Sequence, residues 1–412
     1  MLGGAGSADW GEDVADVGNG VWGKVTSSAI PRMRILLLCT GLKTGGAEQQ
    51  VAGLAQAFVR DGHDVAIVSL TPGCEVTLPA SATVVHLNMR KTVTSMVRAL
   101  RQLNRFVKQW QPQVIHAHMV HANLLARMLA AVTAAPPVIC TAHSAREGGR
   151  LRMLAYRLTD NRAALTTHVS EAGRQAMISA GAVAPERIRV MPNGIDTALF
   201  RPDPAQRQAR RSALGVNANT RVVINVGRLV PEKAQHVLLE AIARLVRKAD
   251  SAKSSADLRL FIVGEGPVRS ALEASIGRLG LQGVVTLLGM RQDVPALLNA
   301  ADVFALSSDI EGMPLVIGEA LSSGCAVVAT DAAGVAELLG NAGKIVPRGN
   351  AEALADALDR AMASGVGTYE EQTARRQRIV EKFSLEAVAR QWVDCYAGLA
   401  GVTGNSIPKP PR

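Results

Sequence analysis

Val303-Phe304-Ala305-Leu306-Ser307-Ser308-Asp309-Ile310-Glu311-Gly312-Met313-Pro314-Leu315-Val316-Ile317-Gly318-Glu319-Ala320-Leu321-Ser322 is the stretch that decides the fold. Its first four residues are uniformly apolar, as a strand covered on both faces must be. A polar turn holding Gly312 and Pro314 ends the run, and residues 315–322 then have the character of a helix. A buried strand turning directly into a helix is the repeating unit of a parallel α/β sheet. The same alternation recurs outward from this point. Candidate strands lie at 222–226, 258–263, 284–288, 326–329 and 345–346 on its own side of the chain, and at 35–39, 65–69, 84–87, 114–116, 138–141, 165–169 and 188–190 on the other. Amphipathic helical segments such as 47–60 and 92–109 separate them. The pattern breaks at Met191-Pro192-Asn193-Gly194 and again at Arg201-Pro202-Asp203-Pro204, which have the composition of a linker. The expected fold class is therefore α/β, with two facing Rossmann-like, doubly wound parallel-sheet domains, 33–200 and 201–384. Ligands of such folds bind in the crevice beyond the carboxyl ends of the strands. The helical segments 351–363 and 385–398 close the chain; residues 385–403 are a candidate to cross back onto the first domain, and 404–412 form a tail.

Length and composition agree with this. The 412 residues favour two domains with cores of their own, and 48% are hydrophobic but only 3% aromatic. Lys and Arg outnumber Asp and Glu by 45 to 35, a net charge of +10 that favours phosphates or anionic lipid surfaces as partners. Nucleic acid ranks last, because zinc-finger spacing and aromatic stacking platforms are missing. Cys39, Cys74, Cys140, Cys325 and Cys395 are scattered without a CxxC pair, as buried thiols of a reducing compartment would be. No run reaches the ~18 apolar residues of a membrane span. Residues 1–32 are rich in Gly, Ser and Asp and lack a signal-peptide pattern; they are expected to be a disordered extension, with Met33 as the natural start.

Chemistry is expected in the loops after strands. Gly227-Arg228-Leu229-Val230-Pro231-Glu232-Lys233 places two cations before a helix N-terminus, a setting suited to a diphosphate. Gly264-Glu265-Gly266-Pro267 permits a tight turn with close backbone approach. This turn does not complete a G-x-G-x-x-G fingerprint, and no GxxxxGK[ST] loop exists in the chain, which disfavours a dinucleotide oxidoreductase. Glu319 lies on an otherwise apolar helix, a costly place for an acid unless a ligand binds it; a ribose diol offers two donors. Glu311 stands in the preceding loop, where it could accept from sugar hydroxyls. Between them, the backbone amides of Gly312, Met313, Leu315 and Val316 lie at a helix N-terminus, available to donor oxygens.

The runs GRLVPEK, VGEGP and EGMPLVIGEALSSGCAVVATD, with Glu311 and Glu319 in an E-x7-E spacing, resemble the retaining family-4 glycosyltransferases (glycosyl transferases group 1) of GT-B fold. Thr44-Gly45-Gly46-Ala47-Glu48 and Val190-Met191-Pro192-Asn193-Gly194-Ile195-Asp196 agree more loosely, and the likeness spans residues 33–400. It implies an acceptor domain first and a nucleotide-sugar donor domain second. Arg228 and Lys233 would hold the donor diphosphate, Glu319 the ribose, and Glu311 the hydroxyls of the transferred sugar. Gly46 would let the first domain approach the phosphates. His143, in Thr141-Ala142-His143-Ser144, matches a histidine beside the reacting sugar. Gly264 and Met290, after two further strands, complete the implied donor site. The implied reaction is front-face transfer with retention from a nucleotide sugar, a UDP-sugar foremost, to a polysaccharide or lipid-linked glycan in a bacterial-type pathway. A nucleotide-sugar epimerase of the same architecture and a non-catalytic nucleotide-sugar binding protein are the alternatives. Two departures stand out: Ala234 replaces the usual Gly after the Lys, and Asp331-Ala332-Ala333-Gly334 replaces Asp-x-Gly-Gly.

No Asp-x-Asp occurs, so no metal and no other cofactor is expected. His116 and His118 point to one face of a strand, with His121 nearby, but lack a carboxylate; a structural or acceptor-side role is expected rather than metal binding. On a helix over 90–110, Arg90, Lys91, Arg98, Arg101, Arg105 and Lys108 share one arc, whereas Val93, Met96, Leu100, Leu103, Val107 and Trp110 face the core. Arg146, Arg150, Arg152, Arg157 and Arg162 form a second basic cluster. Both clusters could dock on anionic lipid. The expected location is cytoplasmic, with peripheral attachment to the inner face of the membrane as a further option.

Overall fold

The computed structural model describes residues 31–43, 45–144, 148–251, 257–365 and 367–401. Residues 1–30 and 402–412, and with them nearly all of the expected extension and the whole tail, lie outside the described residues, as do Thr44 and Arg146.

The first half runs β1 (Arg34–Cys39), α1 (Gly46–Arg60), β2 (Asp64–Ser69), β3 (Thr83–His86), α2 (Val93–Trp110), β4 (Val114–His118), α3 (Val120–Val132), β5 (Val138–Ala142), α4 (Arg150–Leu158), β6 (Leu165–His168), α5 (Glu171–Ser179) and β7 (Ile188–Val190). Its seven strands pair in parallel in the order β3-β2-β1-β4-β5-β6-β7. The second half runs α6 (Pro204–Ala213), β8 (Arg221–Val226), α7 (Gln235–Ser251), β9 (Leu258–Val263), α8 (Arg269–Arg278), β10 (Val285–Gly289), α9 (Val294–Ala300), β11 (Val303–Leu306), α10 (Leu315–Ser322), β12 (Ala326–Thr330), α11 (Val335–Leu339), β13 (Lys344–Val346), α12 (Ala351–Ala363), α13 (Tyr369–Phe383) and α14 (Leu385–Ala400). Its six parallel strands are ordered β10-β9-β8-β11-β12-β13. The strand order reverses once in each sheet, between β1 and β4 and between β8 and β11, and those are the places where such sheets open a binding crevice.

Strands β4 and β12 are buried from end to end and β1 from its second residue on, as buried parallel strands are. Helices cover both faces of each sheet. The last helix does not stay with the second sheet: Leu385, Val388, Trp392 and Tyr396 of α14 pack with Val51, Leu54 and Phe58 of α1 in the first domain's core. The chain between the sheets is held rather than loose. The Gly194 amide donates to Gln50 Oε1 (2.9 Å), Ile195 pairs with Ser384, and Asn193 is buried.

Three details differ from the sequence reading. The polar stretch 201–204 is only partly linker: Asp203 caps α6 by accepting from the Gln206 amide (2.9 Å), with Pro204 in the first turn. Helix α13 is not evident from the sequence pattern, because its surface is mostly polar, yet Thr368 and Glu371 form a reciprocal capping box. Val93 is 71% exposed rather than core-facing. As the first residue of α2 it lies at the helix end, and Leu103 and Val107, further along, do the packing.

Candidate functional site

The loops after β8 and β11 are sewn together. Pro231–Lys233 form one turn of 3-10 helix, and Ala234 then takes a left-handed conformation (φ +45°) that redirects the chain into α7. The Asp309 amide donates to the Glu232 carbonyl (2.8 Å), and the Ser307 hydroxyl to the Lys233 carbonyl (3.0 Å). These bonds bring the Lys233 ammonium to 2.5 Å from Glu311 Oε1, in a largely desolvated pair. Alone, either charge would be expensive there. Arg228, one residue past the β8 glycine, is exposed and forms no ion pair among the described residues. Its charge is felt across the cleft by Glu48, in the first turn of α1. Burial raises the Glu48 carboxyl, while its own backbone amide and Arg228 pull it down.

The glycines of this region serve backbone packing first. A Cβ on Gly264 (φ +136°) would lie 2.0 Å from the Gly227 carbonyl oxygen, and one on Gly266 would lie 2.1 Å from that of Leu229. The loops after β8 and β9 therefore touch main chain to main chain. Gly312 is pressed the same way across the domain boundary, where a Cβ would sit 2.1 Å from the His143 carbonyl oxygen. Gly334 (φ +74°) stacks behind it, 2.0 Å from the Gly312 oxygen by the same measure. This explains why the altered Asp331-Ala332-Ala333-Gly334 turn retains its last glycine.

The N-termini of α1 and α10 meet in the cleft. A Cβ on Gly46 would be 3.7 Å from Leu315 Cδ1, an ordinary contact, and neither helix has a side-chain cap. Leu315 and Val316 thus stand at an amide-rich end facing the other domain. Met313 is buried at the seam, where its sulfur accepts from the Asn193 amide (3.1 Å) and its carbonyl from Asn193 Nδ2 (3.3 Å). Glu319 follows on α10. Burial pushes its carboxyl up to about 7, and no side chain among the described residues bonds it. Met290, just past the edge strand β10, is 63% exposed.

His143 lies at the end of β5, and its Nε2 is 3.0 Å from His118 Nδ1. Burial holds His143 down at about 3 and His118 well below its ordinary value, so both rings are neutral, one donating and one accepting. Behind it, His116 bonds Tyr396 of α14 through Nδ1 and Thr141 through Nε2, both at 2.6 Å. His118 Nε2 is buried without a partner among the described residues. No sequence motif gives His118 a catalytic assignment, although its i, i+2 spacing from His116 marks both as facing one side of the sheet. No group of three or more metal-binding side chains occurs among the described residues.

Comparison with known proteins adds to this geometry. Residues 44–199 match the family described as Glycosyltransferase Family 4, and residues 220–364 match Glycosyl transferases group 1. The chain belongs to the family-4 glycosyltransferases. Over 236 residues it is 30% identical to the Escherichia coli UDP-Gal:alpha-D-GlcNAc-diphosphoundecaprenol alpha-1,3-galactosyltransferase, covering 55% of this chain but only 60% of that protein. Over 389 residues it is 27% identical to a component of the human phosphatidylinositol N-acetylglucosaminyltransferase, covering 84% of this chain and 74% of the human one. Anabaena HepE, solved with UDP-glucose, superposes with a TM-score of 0.75 at 23% identity, covering 89% of this chain and all of HepE. That likeness establishes the GT-B fold of the present family-4 chain. No helix among the described residues is long and apolar enough to cross a membrane.

Proposed function

We propose that this family-4 chain transfers a sugar from a nucleotide-sugar donor to a glycan or lipid-linked acceptor, with retention at the anomeric carbon. The observation that carries the reading is the Lys233–Glu311 pair, set at 2.5 Å beside the facing N-termini of α1 and α10. Breaking the sugar–phosphate bond develops negative charge on the leaving diphosphate. Lys233, Arg228 and the amides at these two helix ends supply fixed positive potential for that charge. Glu311, held by Lys233, accepts from the hydroxyls of the transferred sugar. Glu319 takes the ribose diol, which would satisfy its unpartnered carboxyl. On the same face the departing phosphate removes the acceptor proton. These charges come from the chain itself, so turnover is expected to persist in excess chelator.

A uridine donor is favoured by the UDP-Gal named for the E. coli relative and the UDP-glucose bound by HepE. The lipid-linked acceptor is favoured by the diphosphoundecaprenol and phosphatidylinositol in the relatives' names. A third partner, an anionic membrane surface, would be met by the basic faces of residues 90–108 and 150–162.

The test is transfer of labelled sugar from a panel of UDP- and GDP-sugars to lipid-linked and soluble acceptors. Lys233→Ala should lower kcat on the order of 10²–10³-fold under saturating donor, as loss of an oxyanion donor does. An unchanged kcat would remove Lys233 from the reaction. Consumption of donor that needs no acceptor would replace transfer by epimerisation.

A further inference from the structure

Helix α4 is anchored by one side. Tyr156 is its only fully buried residue; its hydroxyl accepts from Asn123 Nδ2 (2.9 Å), and its ring lies under the Arg127 guanidinium at 4.6 Å. The opposite side carries Leu151, Leu154 and Leu158, which are 83%, 49% and 73% exposed. These are three of the four exposed leucines among the described residues, the other being Leu199. At 100° per residue they fall within an arc of about 60°. Arg150 and Arg157 flank that stripe on one side and Arg152 on the other.

Helices α2, α3 and α4 form one layer. The connections β3–β4, β4–β5 and β5–β6 all run the same way across the sheet, and right-handed crossovers put their helices on one face. Arg98, Arg101 and Arg105 of α2 share this layer with the arginines of α4, and Val93 and Val97 stand exposed at the start of α2. None of these six arginines forms an ion pair among the described residues. Lys91 and Arg152 both lie near enough to His121 of α3 to add to the effect of burial in lowering its pKa, so the starts of the three helices share a positive rim. Unneutralised cations around a leucine stripe match the anionic headgroups and acyl chains of a bilayer, and this charge pattern selects that occupant over an apolar protein partner.

We infer that α4 is a membrane-inserting helix: its leucines enter the headgroup–acyl boundary of an anionic bilayer while the arginines of α2 and α4 hold the phosphates. This deepens the reading above, on which it rests for the lipid-linked acceptor. Because α4 follows directly from the loop after His143, insertion would set the mouth of the cleft at the membrane surface, where such an acceptor presents its head.

The test is co-sedimentation of the full chain with phosphatidylcholine vesicles, with and without phosphatidylglycerol, at low and high salt. The full chain should bind anionic vesicles and remain partly bound in high salt, because insertion is not screened. The triple variant L151Q/L154Q/L158Q should bind at low salt, release at high salt and partition on the order of 30-fold more weakly. The variant R98Q/R101Q/R105Q should bind anionic vesicles more weakly than the parent at low salt. In Leu154→Trp the indole emission should shift to the blue on anionic vesicles. Equal high-salt retention of the leucine variant and the parent, or no shift in Leu154→Trp, overturns the inference. So does a parent chain that is a dimer by light scattering without vesicles while the leucine variant is a monomer, since the stripe would then face a second copy. Turnover on a soluble acceptor separates the two ideas: it should be unchanged in the leucine variant, and its absence in the parent would count against the transfer reading instead.

Discussion

Glu319 is the residue whose chemistry is most open to measurement. Its carboxyl sits at about 7 in the folded chain and near 4.5 when unfolded, so between these values the native state binds the extra proton. Stability contributed at this site therefore falls as pH rises from about 4.5 to about 7. Glu319→Gln should recover on the order of 2–3 kcal/mol of unfolding free energy above that range, read from urea titrations at acid and at alkaline pH. If the ribose diol donates to the carboxylate, donor affinity should improve with rising pH through 7, and the glutamine variant should lose that dependence; a parallel pH profile in both would sink the ribose assignment. Ala234 poses a different question, because an alanine at φ +45° is strained by roughly 1–2 kcal/mol. Glycine would relieve this, but its backbone entropy costs about 0.5–1 kcal/mol and the buried methyl is worth about 0.8 kcal/mol. The opposing effects nearly cancel, which explains how alanine stands here; Ala234→Gly should change stability by less than about 1 kcal/mol in a denaturant titration.

At the scale of elements, the strands are legible because each is an apolar run bounded by turn residues. Helix α10 can be bounded as well, since Pro314 starts it and an apolar stretch follows. Helix α13 escapes a sequence reading because few of its residues are buried, so the hydrophobic period that marks a helix is faint. Its capping box is the available signal. Thr368→Ala should cost about 1 kcal/mol and lower Tm by a few degrees, with Glu371→Ala adding little once Thr368 is gone. Independent, additive losses would show that the two side chains do not act as one cap. The histidines of β4 and β5 illustrate the opposite limit. Their placement on one face follows from the period of a strand, but the His118–His143 bond depends on β4 lying next to β5.

Across the whole molecule, the two domains are held by specific polar contacts as well as by the seam at Met313. Glu337 of the second domain accepts from the Glu171 and Ala172 amides (2.8 and 3.2 Å) and so caps α5 of the first. Burial is the larger effect and raises the Glu337 carboxyl, while the two amides pull it back down; a pair of bonds to a charged group is worth about 1–2 kcal/mol. Glu337→Ala should therefore shift the balance between packed and separated domains about tenfold toward separation, visible as a larger radius of gyration in small-angle scattering. An unchanged radius would show that the seam alone holds the domains.

Taken by itself, the chain's order of residues determined the two parallel sheets, the positions of their strands and the loops that carry Arg228, Lys233, Glu311 and Glu319. All of these follow from local patterns of apolar runs, glycines and helix starts. Only the folded structure decided which of those residues meet: Lys233 with Glu311 across 78 positions, Asn193 with Met313 across 120, and His116 with Tyr396 across 280. The reason is physical. Local conformation is set by each residue and its near neighbours, whereas these meetings depend on strand order, on the return of α14 and on how the domains close, which arise from burying the whole surface at once.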